Sequence, residues 1–236
     1  MKRLIFDEDH DMFRDATRRF MQAEIEPHVE RWRQQGRCDK EAFIKAGEQG
    51  LLGMWVPEEY GGPGIEDFRF EQVVIEETLR HGDLGLFLTL HSRLVGPYIG
   101  ALGSEKLKQR LLPRVVSGET ILGIAMTEPG AGSDLAGIKS RAVRDGDDWI
   151  INGSKTYISN GINGGAFVVA ARTVPDQRHG IGLFVIEEGM AGFQRGRNLA
   201  KMGLKTQDTA ELFFEGVRVP AENVLGDPEK GFYSLM

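Results

Sequence analysis

At about Glu119 the sequence changes its period. Before that point apolar residues recur at helical spacing among charges. After it, short apolar runs alternate with turns rich in Gly, Asn and Asp. The change predicts an α+β chain: an all-α N-terminal domain at 1–119, then a small antiparallel β-barrel or sandwich at 120–226.

In the first half, Phe13, Phe20, Ile25 and Val29 share one face of a helix expected over 7–35. Asp7 suits the N-cap and Gly36 the position just past the end. Pro27 must kink or divide this helix, because it has no N–H to donate and its ring crowds the preceding turn. A second helix is expected over 40–49, stopping at Gly50. A Pro- and Gly-rich loop at 55–64 follows, then an amphipathic helix over 66–81. The helix expected over 83–102 is apolar on most faces and so belongs in the interior. His91 lies within it and reads first as a satisfied core histidine. Ser104 suits the N-cap of a last helix over 104–117, which Gly118 ends.

In the second half, strands are expected at 121–126, 138–144, 149–152, 155–159, 166–171, 182–187 and 211–219. Turn residues at 145–147, 160–161 and 188–189 separate them. Asn152-Gly153 predicts a further tight hairpin, since both central residues of such a turn need positive φ.

Composition narrows the function. A net charge of −6 argues against nucleic acid as the main partner. A lone cysteine, Cys38, excludes an intrachain disulfide and fits a reducing, cytoplasmic setting. No apolar run reaches the length of a membrane span, and the N-terminus lacks the apolar core of a signal peptide. The five histidines fall into no metal-ligand spacing. No G-x-S-x-G elbow is present, so hydrolytic machinery is not expected.

The informative stretch is 121–161. An apolar run ends at Met126 and passes into Thr127-Glu128-Pro129-Gly130-Ala131-Gly132-Ser133-Asp134. The two glycines allow unusual dihedrals and close approach of a ligand. Consecutive amides with the Thr127 and Ser133 hydroxyls form a donor set suited to a phosphate or pyrophosphate. The dinucleotide fingerprint fails, because Leu135 stands where its third glycine belongs. The Walker pattern fails for want of Gly before Lys139 or Lys155. On composition alone such a turn reads first as a hairpin loop without a ligand.

The order of motifs adds more. TEPGAGSDLAGIK and DWIINGSKTYISNG, at 127–139 and 148–161, closely resemble the flavin-binding core of the acyl-CoA dehydrogenase family. PEEYGGPG at 57–64, GIGLFVIEEGMAGF at 180–193 and KMGLKTQDTAELFFEGVRVPAENVLG at 201–226 follow in the family's order, so the likeness covers nearly the whole chain. The last motif is most similar to the long-chain members.

This resemblance implies noncovalent FAD, an acyl-CoA thioester substrate oxidised at Cα–Cβ, and electron delivery to an electron-transfer flavoprotein. It places Ile124, Met126 and Thr127 along the isoalloxazine. Gly132 and Ser133 fall by the pyrophosphate, with Ser133 also near the pantetheine. Tyr157, Ile158 and Ser159 match the triplet that packs on the ring, Ser159 supplying a hydroxyl near N5. Tyr in place of the more common Trp agrees with the long-chain class. Arg178 and His179 align with a loop that touches CoA, and the loop at 55–64 with one near the acyl and flavin cavity.

In the family the catalytic glutamate and most oligomer contacts belong to a C-terminal helical bundle, which would begin near Gly231. No catalytic residue is therefore expected within 1–236, and a homo-oligomer is expected with that bundle present. A non-catalytic flavin or acyl-CoA binding module, a structural subunit with a vestigial site, and a flavin oxidase or monooxygenase of the same fold are the alternatives.

Overall fold

The computed structural model describes residues 4–81 and 85–236. The expected helix start at Asp83 lies outside them. Helix α1, Glu8–Phe20, opens with a capping box: Asp7 accepts the His10 N–H, and the His10 ring reaches back to the cap. Where Pro27 forbids a regular turn, the chain passes through a π-helical turn, Met21–Ile25, and a 3₁₀ turn, Glu26–His28. Helix α2, Val29–Gln35, then ends on Gly36 at φ +79. Helices α3 (Glu41–Glu48), α4 (Phe68–His81), α5 (Gly96–Leu102) and α6 (Glu105–Val116) complete the helical half. Ser104 caps α6 as expected.

Buried Glu77 of α4 cross-links α1. Its carboxylate receives Arg14 at 3.1 Å and Arg18 at 3.0 Å, with Arg80 and His81 at 3.6 Å. Burial pushes its pKa up, but the two arginine hydrogen bonds outweigh that and hold it below the usual carboxylate range.

The strands are β1 Leu122–Ala125, β2 Arg141–Asp145, β3 Asp148–Ser159, β4 Ala166–Arg172, β5 Ile181–Glu187, β6 Phe193–Asn198, β7 Thr209–Val219 and β8 Val224–Leu225. They form one sheet in the order β6-β7-β3-β2-β4-β5-β8, with β1 beside β4. The short helix α7, Gly231–Leu235, follows. Two pairings, β1 with β4 and β2 with β4, are parallel, so the sheet is mixed rather than purely antiparallel. The sheet curls until β1 also meets β3, where Thr156 N–H donates to the Thr127 carbonyl at 2.9 Å.

Three clusters make the core. Phe20, Met21, Trp32, Phe43 and Leu52 fill the helical half. Ile151, Phe167, Phe184, Leu212 and Phe214 fill the inside of the curl. The third joins the halves, setting Ile99, Leu111 and Val115 against Val168, Leu183 and Val185. Strands β4 and β5 are thus buried on both faces, which accounts for their unbroken apolar runs.

The expected hairpin at Asn152-Gly153 is not formed. Strand β3 runs straight through it, with a register shift against β7 between Ile151 and Gly153. Gly153 sits at φ +148, and a Cβ there would lie 2.3 Å from Ser140 Oγ, so the glycine serves close strand approach. The real turn is Gly146-Asp147, since Asp145 pairs with Asp148 and Gly146 takes φ +66. Strand β6 was not expected, because FQRGRN shows neither apolar alternation nor a continuous apolar run.

Candidate functional site

Strand β1 delivers the chain from the core to a surface loop. Glu128 and Ala131 exchange backbone hydrogen bonds of 2.9 and 3.1 Å, closing Pro129-Gly130 into a tight turn. Beyond it Gly132, Ser133 and Asp134 are exposed. Among the described residues, the amides of Gly130, Gly132, Ser133 and Asp134 have no hydrogen-bond partner. Neither glycine takes positive φ, so unusual dihedrals are not their use here. A Cβ on either would meet nothing within 4 Å. What they leave is open space over free N–H donors, as an anion needs.

Tyr157 faces outward beside this loop. Lys155 pairs with Leu212 and Ile158 with Ala210, so Thr156 and Tyr157 together oppose the single residue Glu211. This is a β-bulge. It holds Tyr157 at φ +58, a region bulky side chains avoid, and leaves the residue 70 % exposed. Ser159 is half-buried, and its hydroxyl has no partner among the described residues. Between them the Ile158 side chain is 2 % exposed and lies inside the sheet, so the residue can meet a ligand only through its backbone.

Ile124, Met126 and Thr127 are half-buried along the end of β1. Asn160 Nδ2 donates to the Leu122 carbonyl at 2.8 Å, and Thr156 N–H to that of Thr127. These two bonds bring Ile124, Met126 and Thr127 alongside Tyr157 and Ser159. The loop at 173–180 approaches from the other side. Arg178 lies 3.4 Å from Asp134, both exposed, which places it next to Ser133. His179 instead stacks on Phe232 of α7 with ring centroids 4.2 Å apart.

Beneath the loop lies an ion pair that the sequence did not announce. Lys155 Nζ donates to Glu128 Oε1 at 2.8 Å and to the Met126 carbonyl at 3.1 Å. The Lys139 amide donates to Glu128 Oε2 at 2.6 Å and the Ser140 amide to Oε1 at 3.0 Å. Burial raises the Glu128 pKa, but the Lys155 charge and these donors hold it below its usual range. Burial draws Lys155 down against the pull of Glu128. The signal was a lysine in a strand phase that otherwise points inward.

Residues 7–119 match the Acyl-CoA dehydrogenase, N-terminal domain, and 123–217 the Acyl-CoA dehydrogenase, middle domain. The chain belongs to the acyl-CoA dehydrogenase family.

Among its relatives, the mitochondrial long-chain specific acyl-CoA dehydrogenase of Sus scrofa is 48 % identical over 99 % of this chain and 55 % of its own length. The crystal structure of acyl-CoA dehydrogenase from Geobacillus kaustophilus superposes with a TM-score of 0.96 at 48 % identity, over 100 % of this chain and 62 % of that one. A glutaryl-CoA dehydrogenase from Mycobacterium smegmatis, solved in complex with FADH2, gives 0.86 at 33 %, over 95 % and 57 %. The chain thus spans about half the length of the curated relatives it matches.

Two acids stand in the loop. Glu128 is engaged as above, and Asp134 faces Arg178. His91, the other candidate for chemistry, is fully buried. It lies 2.9 Å from the Val115 carbonyl through Nε2 and accepts the Leu122 N–H through Nδ1. Burial lowers its pKa to about 4, so it is a neutral strut under β1. No helix among the described residues is long and apolar enough to cross a membrane.

Proposed function

We infer that this chain is the FAD- and acyl-CoA-binding part of an enzyme that oxidises the Cα–Cβ bond of acyl-CoA thioesters. Tyr157 carries the reading. A tyrosine held at φ +58 and 70 % exposed costs folding energy without burying its ring, and such strain is kept where a ligand uses it. Its ring offers a flat face for the isoalloxazine, with the Thr127 and Ser159 hydroxyls free at the edges. The open amides of Gly132 and Ser133 suit the pyrophosphate, and Ser133 with Arg178 and His179 the CoA side. The chemistry FAD supplies when bound is acceptance of the substrate's β-hydride.

Removing the α-proton needs a carboxylate within hydrogen-bond reach of that carbon. Glu128 has both oxygens engaged, and Asp134 lies on the loop's outer rim. This supports a base outside 1–236, and a chain that by itself binds but does not oxidise. Domains at 1–119 and 120–226 with a helical stub at 227–236, a homo-oligomer, an electron-transfer flavoprotein as acceptor and a cytoplasmic setting complete the proposal. The tyrosine in the ring-packing triplet favours medium to long acyl chains.

Anaerobic addition of hexadecanoyl-CoA to the FAD-loaded chain tests it. The flavin spectrum should shift without losing intensity. No shift with any acyl-CoA would overturn the substrate class, and prompt bleaching would overturn the placement of the base.

A further inference from the structure

We propose that Lys155, through Glu128, and Asn160 form a clamp that positions the flavin platform by forcing Tyr157 into its strained, outward conformation. The inference rests on the reading of Tyr157 as that platform. The two residues flank the bulge and tie β3 to β1 on either side of it. Before the bulge, Lys155 Nζ reaches Met126 O and Glu128 Oε1 at 3.1 and 2.8 Å. After it, Asn160 Nδ2 reaches Leu122 O at 2.8 Å. Between these anchors β3 carries one residue more than β7 opposite, and the surplus is expelled as Tyr157.

The pair's chemistry fits a positioning role better than one of plain stability. A buried ion pair contributes little net stability, because desolvating two charges offsets their attraction, whereas it fixes geometry tightly. Glu128 takes three donors from two separate segments: the adjacent amides of Lys139 and Ser140, and the Lys155 ammonium of β3. It therefore registers the turn holding the open amides against the strand carrying Tyr157. Asn160 is itself at φ +58, a region asparagine tolerates, so the second anchor adds little strain.

The test uses the neutral double variant Glu128→Gln/Lys155→Met, which leaves no lone buried charge, and Asn160→Gly, which suits the positive φ. Without FAD, Tyr157→Gly should have the higher urea midpoint than Tyr157→Ala in the parent chain, since only glycine relaxes at φ +58. In either clamp-less background that order should reverse. With FAD, each clamp variant should bind at least tenfold more weakly than the parent. The same change made on top of Tyr157→Ala should cost under twofold, because the clamp acts through that ring. An order that does not reverse, or losses that add fully, overturns the clamp. Parent protein that fails to bind FAD while the order still reverses overturns only the cofactor reading. Should the double variant not fold, Asn160→Gly alone decides by the same two readings.

Discussion

Replacing Tyr157 by glycine should stabilise the protein while weakening its grip on FAD. A non-glycine residue in the left-handed region costs roughly 1–2 kcal/mol, and Tyr157 occupies it at φ +58. Glycine returns roughly 0.5–1 kcal/mol of that through the greater entropy of the unfolded chain. The ring is 70 % exposed, so its removal forfeits little buried area. The net is a gain of about 0.5–1 kcal/mol. Alanine at the same position keeps the strain and loses the ring. Glycine should therefore exceed alanine in stability, the opposite of their usual order in a strand. Urea melts of the two variants without FAD provide the comparison, and fluorescence titration gives the affinities. Alanine at least as stable as glycine would refute the claim that the backbone at 157 is strained.

Three further outcomes follow from the described contacts. Gly132→Val should leave the melt within about 0.5 kcal/mol, since a Cβ there meets no protein atom within 4 Å, yet lower FAD affinity in a titration. Glu77→Ala should cost roughly 2 kcal/mol in urea, because fully buried Glu77 ties α4 to the half-buried Arg14 and Arg18 of α1, while Arg14 keeps Glu76 and Arg18 keeps access to water. Glu71→Gln should stabilise by up to about 3 kcal/mol at pH 8 and hardly at all near pH 4. Burial raises the Glu71 pKa from 4.5 to about 7, against the Thr89 hydrogen bond and the Arg93 charge, so its stability contribution is lost as pH rises through that window. His91, depressed from 6.5 to about 4 by burial, works oppositely and loses stability as pH falls. Glu71→Gln should thus unmask a steeper acid decline between pH 6.5 and 4, and an unchanged slope would contradict the placement of Glu71.

Much of this was legible because local chemistry decided it. The capping residues Asp7 and Ser104, the break at Pro27 and the change of period near Glu119 each act within a few residues. The failures share one cause, which is contact across long sequence separation. Asn152-Gly153 carries the local signature of a hairpin, but Ser140 packing against it makes the glycine a contact point inside a longer strand. The sequence offers Lys155 only as a Walker lysine, and its buried partner Glu128 comes from 27 residues away. The inward face of Ile158 was not readable from the strand period, since one extra residue in β3 reverses the alternation. The triplet at 157–159 and the loop at 127–133 were recognisable as motifs. Their mutual placement depends on Asn160 reaching Leu122, which no spacing rule reveals.

The most direct measurement is a titration of FAD into the protein, followed by flavin absorbance and visible circular dichroism. The expected result is saturable binding at one site, with a resolved visible band and an induced dichroic signal that Tyr157→Ala diminishes. A flavin spectrum that stays that of free FAD at saturating protein would contradict the assignment of the strained tyrosine and the open-amide loop as a cofactor site.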